Sequence, residues 1–226
     1  MRTYDFYEAF EQMAAGLAHE VRNPLSLVRA NIELLELSEA AEESRRRFRV
    51  MRREIDRANC ALTELMQLAQ PSVSTGRREV VSLHKMLCGL VDTMKLTYGN
   101  TAAFYLESAA ADYAVYADEE KLTRVFRNIV KNAVESVMDA HPNGGGQICL
   151  VLSEEAGVVS VAVKDNGRGL DSEAKARAAE PFYTTKSGGN GLGLFISRAA
   201  VAEHGGTLTV ENAQAAGCVV TVRLPL

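Results

Sequence analysis

The sequence predicts two domains of different class: a long α-helical hairpin that pairs with a second copy into a four-helix bundle, followed by an α/β sandwich. Three observations carry this. Residues 3–69 hold one glycine, Gly16, and one proline, Pro24, under a sustained helical period. Residues 70–79, QPSVSTGRRE, lose that period and gather proline, serine, threonine and glycine, as a linker does. Beyond them, helical periods are interspersed with alternating apolar runs and turn dipeptides. The division falls at 1–72 and 78–226.

In the first helix Phe10, Ala14, Leu17, Val21, Pro24, Val28, Asn31 and Leu35 alternate spacings of four and three. In the second, Phe48, Met51, Ile55, Ala58, Leu62, Leu65 and Ala69 do the same, and Ser38 can begin the turn between them. Such seams resemble those of coiled coils, and a lone hairpin has one apolar face too many, which dimerisation buries. The arginine-rich stretch 45–54 is interleaved with Glu42, Glu43 and Glu54, so a solvated helix face accounts for it. In the second domain the period predicts a helix over Leu83–Leu96 and short strands at Ala102–Glu107 and Ala114–Ala117. A helix over Glu119–Asp139 comes next, with Leu122, Val125, Phe126, Ile129, Ala133 and Val137 on one side. GQICLVLSEE and GVVSVAVKD read as a hairpin turning at Ala156-Gly157, Leu192–Glu203 as a helix, and residues 206–226 as a second hairpin. The sheet is expected to be mostly antiparallel.

Composition excludes several functions. A net charge of −4 and a pI near 5.7 give no reason to expect nucleic acid. Cys60, Cys88, Cys149 and Cys218 are scattered, without metal-ligand spacing, as free thiols in a reducing compartment are. There is no signal peptide and no apolar run near the ~18–20 residues of a membrane span. A cytoplasmic location is expected for this region.

Four short stretches carry chemistry. Asn128 and Asn132 lie four apart on one helix face; asparagine is a poor helix former, and an amide oxygen suits a hard cation such as Mg²⁺. In KDNGRGL, Asp165 ends a strand before Gly167 and Gly169. A carboxylate only accepts hydrogen bonds, so it can read the exocyclic amine of adenine and reject guanine's carbonyl. GGNGLGL opens a helix, and Gly189, Gly191 and Gly193 free backbone N–H groups for phosphate. EPFYTTKSGG just before it supplies Thr184, Thr185 and Lys186 with glycines on the far side as hinges, a composition that suits a mobile lid. Upstream, AAGLAHEVRNPL places His19 and Asn23 one turn apart, off the seam through Leu17 and Val21. A neutral imidazole is a nucleophile and a proton acceptor. Glu20 can accept the other ring N–H, and Pro24 loosens the helix beside it.

Taken in chain order, the four stretches resemble the N, G1, F and G2 boxes of the histidine-kinase, gyrase, chaperone and mismatch-repair ATPase superfamily, the Bergerat nucleotide fold. HEVRNPL resembles the H box of two-component sensor histidine kinases, and PFYTTKSGGNGLGL looks most like the nitrogen-regulation type. The resemblance covers roughly residues 10–226 and implies that His19 is the phosphoacceptor, Asn132 the Mg²⁺ ligand and Asp165 the adenine reader. It implies a nucleotide pocket lined by Asn128, Gly167, Gly169, Gly189, Gly191, Leu192, Gly193 and Leu194, with Thr184, Thr185 and Lys186 in the lid. It further implies that Asn23 orients a water for dephosphorylating a regulator's phosphoaspartate. Glu135 departs from the lysine that many relatives carry there, and Lys186 can compensate. The related ATPases place a water-activating glutamate where this sequence has Asn128, which an amide cannot replace.

The leading expectation is therefore an ATP- and Mg²⁺-dependent protein-histidine kinase that acts as a homodimer and relays phosphate to a response-regulator receiver domain. Its sensory domain would lie upstream in cis or come from another protein. A nucleotide-driven ATPase of the chaperone or gyrase type and a non-enzymatic dimeric scaffold are the alternatives.

Overall fold

The computed structural model describes residues 25–30, 32–33, 35, 42–69, 78–110, 112–181, 183–184 and 191–226. The chain divides into two compact units, Met1–Val73 and Ser74–Leu226.

In the first unit, residues 25–30, 32–33 and 35 are helical (α1) and Glu42–Ala69 form a second helix, α2. Arg29 ties the two together. Its guanidinium reaches Glu33 one turn along α1 and Asp56 on α2, each at 3.0 Å. Ile32 and Ile55 are buried, whereas the seam residues Val28, Leu35 and Met51 remain about half exposed in a single chain. The predicted turn at Ser38 lies outside the described residues.

The second unit runs β1 (Glu79–Ser82), α3 (Leu83–Tyr98), β2 (Ala102–Ser108), β3 (Ala114–Ala117), α4 (Glu119–Ala140), β4 (Gly146–Glu155), β5 (Val158–Asp165), α5 (Ser172–Arg177), α6 (Gly193–Glu203), β6 (Thr207–Asn212) and β7 (Cys218–Pro225). Five strands form one sheet in the order β2-β4-β5-β7-β6, and β1 and β3 pair in a separate ribbon. The large sheet is antiparallel except between β2 and β4, which run parallel because β3 and α4 form the crossover between them. Consecutive in sequence, β2 and β3 are thus not partners. Pairing with β3 converts Glu79 from the last linker residue into the first of β1, a strand too short to show a period. The short α5 was not anticipated either; it is polar, with only Ala174 buried.

Period-2 alternation explains the core. Ile148, Leu150 and Leu152 on β4, Val159, Val161 and Val163 on β5, and Val220, Val222 and Leu224 on β7 all face inward. Against that face pack Leu122, Val125, Phe126, Ile129, Ala133 and Val137 of α4, at the spacing that predicted them. The β4–β5 hairpin turns through Ala156 and Gly157, both with positive φ, as a two-residue primed turn requires. The starts of α3, α4 and α5 are capped: the side chain of Ser82 accepts from Lys85 N–H, Asp118 from Lys121 and Asp171 from Ala174. At the far end of α6, His204 interlocks with the start of α4. Its Nε2 accepts the Asp118 backbone N–H at 3.0 Å, and its Nδ1 lies 2.7 Å from the Ala200 carbonyl. A carbonyl only accepts, so the ring proton sits on Nδ1. Beside it, Lys121 and Glu203 pair at 2.6 Å.

Candidate active site

The site begins with one inward position too many. The alternation Val159, Val161, Val163 continues to Asp165, which puts a carboxylate, 7 % exposed, on the core face at the mouth of the sheet. Buried carboxylates need partners. Gly167 N–H donates to Asp165 Oδ1 at 2.8 Å, and Ser136 Oγ on α4 makes a longer contact of 3.4 Å.

Two glycines let the backbone close around this group. A Cβ on Gly167 would fall 2.1 Å from Ser136 Oγ and 2.8 Å from Asp165 Oδ1. One on Gly217 would fall 1.9 Å from the Asp165 carbonyl, and Gly217 also has a φ of +88°. Only glycine fits at either position. The turn after Asp165 is then fastened from three sides. Asn166 accepts the Gln147 N–H at 2.8 Å through its side-chain oxygen and donates to the Gly145 carbonyl at 3.0 Å. Asn212 brackets Leu170, accepting its N–H at 2.9 Å and donating to its carbonyl at 2.7 Å. From α4, Asp139 pairs with Arg168 at 3.4 Å.

On β7, Cys218 is buried on the same inner face. Burial, and then the negative charge of Asp165, push its thiol up to about 11. It is therefore a protonated, unreactive wall of the site at neutral pH. Cys88, Cys149 and Cys218 are free thiols.

Asn128 and Asn132 lie on α4 one turn apart, both half-buried, on the helix whose last turns touch Asp165. No cluster of three or more His, Cys, Asp or Glu that could hold a metal occurs among the described residues. An amide oxygen as protein ligand fits Mg²⁺, which keeps several waters and binds chiefly through substrate phosphates. Gly193 opens α6, and Leu192 at its N-cap offers no side-chain cap to the first amides. The Leu192 side chain is fully buried and Leu194 packs against the core, so these two hold the loop end rather than face solvent. Gly169 and Gly191 both take positive φ. Thr184 is exposed, and just before it Tyr183 carries the Arg177 guanidinium 4.3 Å over its ring, with Arg177 also paired to Glu173 and Glu180. His19, Glu20, Asn23, Thr185, Lys186 and Gly189 lie outside the described residues. A depression of about 210 Å³ between Gly99–Ala103 and Gly144–Gln147 excludes Asp165 and has no charged lining.

An acceptor-only carboxylate at a sheet mouth, an amide pair on the adjoining helix and an uncapped helix start together suit an adenine nucleotide. Known proteins agree. The family described as "Histidine kinase-, DNA gyrase B-, and HSP90-like ATPase" matches residues 117–226, and "His Kinase A (phospho-acceptor) domain" matches residues 11–72. The chain belongs to the two-component histidine kinases. The kinase core is 32 % identical to sporulation kinase A of Bacillus subtilis over 95 % of its own length and 34 % of the relative's. The catalytic domain of histidine kinase ThkA, 29 % identical, superposes with a TM-score of 0.59 over 66 % of this chain and 95 % of that one. ThkA in complex with response regulator protein TrrA, 25 % identical, gives 0.66 over 94 % and 60 %. The chain spans half or less of the curated relatives it matches. Among the described residues, no helix of the kinase core is long and apolar enough to cross a membrane.

Sequence reasoning passed over Ser136, His141, Asn166, Asn212, Gly217 and Cys218. For Cys218 a signal existed: β7 alternates as β5 does, so pairing them brings its first inward residue to Asp165. For Asn166 the signal was weaker, an asparagine in a turn, whose amide commonly replaces backbone partners. Ser136, His141 and Asn212 act across gaps of tens of residues and carry no local mark.

Proposed function

We propose that this chain is the catalytic core of an ATP-dependent protein-histidine kinase that phosphorylates His19 and passes the phosphoryl group to an aspartate of a response-regulator receiver domain. The observation that carries the reading is the joint match, in one chain, of a phosphoacceptor family and an ATPase family whose nucleotide domain presents Asp165 at the sheet mouth. Asp165 accepts the adenine amine, while the α6 amides and Lys186 meet the phosphates. Mg²⁺ held by Asn132 and the phosphates would neutralise charge on the transferred group. A neutral ring nitrogen of His19 attacks the γ-phosphorus. The N–P bond forms as the bond to the β-phosphate oxygen breaks, and ADP leaves. Glu20 accepts the hydrogen bond from the other ring N–H and balances the growing positive charge. The receiver's carboxylate then takes the phosphoryl group from nitrogen. Asn128 cannot deprotonate water, so nucleotide hydrolysis by the chaperone or gyrase route is disfavoured.

Asn23 is assigned to a second activity: its amide both donates and accepts, and can hold water in line with a regulator's phosphoaspartate. The half-exposed apolar seam of Val28, Leu35 and Met51 supports pairing with a second copy in a four-helix bundle. The ThkA–TrrA complex supports a response regulator as partner. The sensory domain belongs to a part of the protein upstream, or to another protein, and the core works in the cytoplasm. Incubation with γ-labelled ATP tests the reading. Acid-labile, base-stable label on the protein is expected; free phosphate without protein label would indicate an ATPase, and neither product a scaffold.

A further inference from the structure

One peptide group stands between α4 and Asp165. Its nitrogen end, Gly167 N–H, donates to Asp165 Oδ1 at 2.8 Å. Its oxygen end, the Asn166 carbonyl, lies 2.8 Å from Nε2 of His141, the residue that terminates α4. The carbonyl can only accept, so the ring presents Nε2–H to it. The result is a continuous chain, His141 Nε2–H to Asn166 carbonyl, then Gly167 N–H to the Asp165 carboxylate. Each bond polarises the next.

We propose that His141 is a positioning residue of the nucleotide site, fixing through the Asn166–Gly167 peptide the carboxylate that selects adenine. The inference rests on the reading of Asp165 as the adenine acceptor and deepens it. Without the His141 bond, the peptide plane is free to rotate about Asn166 and Gly167, whose glycine torsions resist little. The Asn166 side chain does not prevent this, because its two bonds run to Gln147 on β4 and to Gly145 just before it, and hold the residue, not the plane that follows it. The Arg168–Asp139 pair likewise holds the turn from outside and is exposed on both sides. A rotated plane withdraws the Gly167 N–H, so Asp165 Oδ1 loses that 2.8 Å hydrogen bond and the carboxylate turns from the position that meets an exocyclic amine. The sequence has no local signal for this, since His141 follows the helix period and precedes a proline.

The test separates nucleotide selectivity from general damage. Dissociation constants are measured on the full chain for ADP and for inosine diphosphate, which carries a carbonyl where adenine carries its amine. The intact protein is expected to prefer ADP. His141→Ala should weaken ADP about five- to tenfold, in the range expected for one lost hydrogen bond, with inosine diphosphate changed less than about twofold. In ATP-dependent autophosphorylation KM should rise with kcat nearly constant. His141→Gln, whose amide N–H reaches about as far as Nε2, should restore the preference. In NMR spectra the Gly167 amide proton should move upfield and exchange faster in His141→Ala, and return in His141→Gln. Equal weakening of both nucleotides, or an unshifted Gly167 proton, overturns the proposal. Asp165→Asn serves as the independent control. Should it keep the ADP preference, the adenine-reader reading fails and the role of His141 falls with it; should it lose the preference while His141→Ala keeps it, only the positioning role is refuted.

Discussion

Asp165 is where a residue's backbone pattern and its chemistry meet. The strand period that buries Val159, Val161 and Val163 also buries it, so an ionisable group occupies a position ordinarily apolar. Asp165→Ala should leave the far-ultraviolet circular dichroism unchanged but lower ATP affinity by about 1.5–3 kcal/mol, the range for a hydrogen bond to a charged group. Isothermal titration calorimetry checks this, and normal ATP binding by the variant would remove the adenine-reader role. Cys218 gives a second prediction, in pH. Its thiol is held protonated up to about 11 by burial and by Asp165, whereas in the unfolded chain it ionises near 9. The folded state therefore keeps a proton that the unfolded state loses, and stability from this group is full below pH 9 and declines from there to pH 11. Denaturant midpoints measured across that window should fall less steeply for Cys218→Ala than for the parent protein. Parallel curves would mean that the thiol shares no such linkage.

Among the elements, α4 does most to shape the site. Its apolar stripe fastens it to the sheet, its middle carries Asn128 and Asn132, and its last turns hold Ser136, Asp139 and His141 against the turn after β5. Its start is held by α6. The Asp118 N–H is buried with His204 Nε2 as its acceptor, so the helix that begins at Gly193 and the helix that carries the asparagines share one hydrogen bond. His204→Phe keeps the ring volume but leaves that N–H without a partner, and should cost about 1–3 kcal/mol of stability. Differential scanning calorimetry reads this as a lowered Tm. A variant as stable as the parent would show that water reaches Asp118, and that the two helix ends are not coupled through the imidazole.

At the scale of the whole molecule, the proposed acceptor His19 and the proposed nucleotide site at Asp165 fall in separate units, Met1–Val73 and Ser74–Leu226. His19→Ala should abolish autophosphorylation while leaving ATP affinity within about twofold, since the proposed acceptor and the proposed nucleotide pocket belong to separate units. Asn23→Ala should instead retain phosphorylation of His19 and lose most stimulated dephosphorylation of the regulator, because the proposed mechanism gives the orientation of the imidazole to Glu20 and not to Asn23. Phosphotransfer and phosphatase assays on the two variants separate these roles; equal loss of both activities in Asn23→Ala would assign Asn23 to helix packing or docking.

Much of this was legible in the sequence because it depends on local periods. The four-three spacing of the helical stretch, the inward residues of α4 and the β4–β5 hairpin with its Ala156-Gly157 turn each follow from residues close together along the chain. So did the family, since its motifs are short and ordered. Distance along the chain hid the rest. That β2 pairs with β4 rather than with β3, and that Glu79 opens a strand, depend on which edges α4 brings together. The identity of Asp165 was set by the sequence; its surroundings were set by folding, which brings Ser136 from α4, Gly217 and Cys218 from β7, and His141 through the Asn166 carbonyl. A local pattern can state that a carboxylate ends a strand on the buried face. Only the packing of α4 and β7 around that strand end decides which groups hold it, because hydrogen bonds and steric contacts act over a few ångströms of space whatever the separation in sequence.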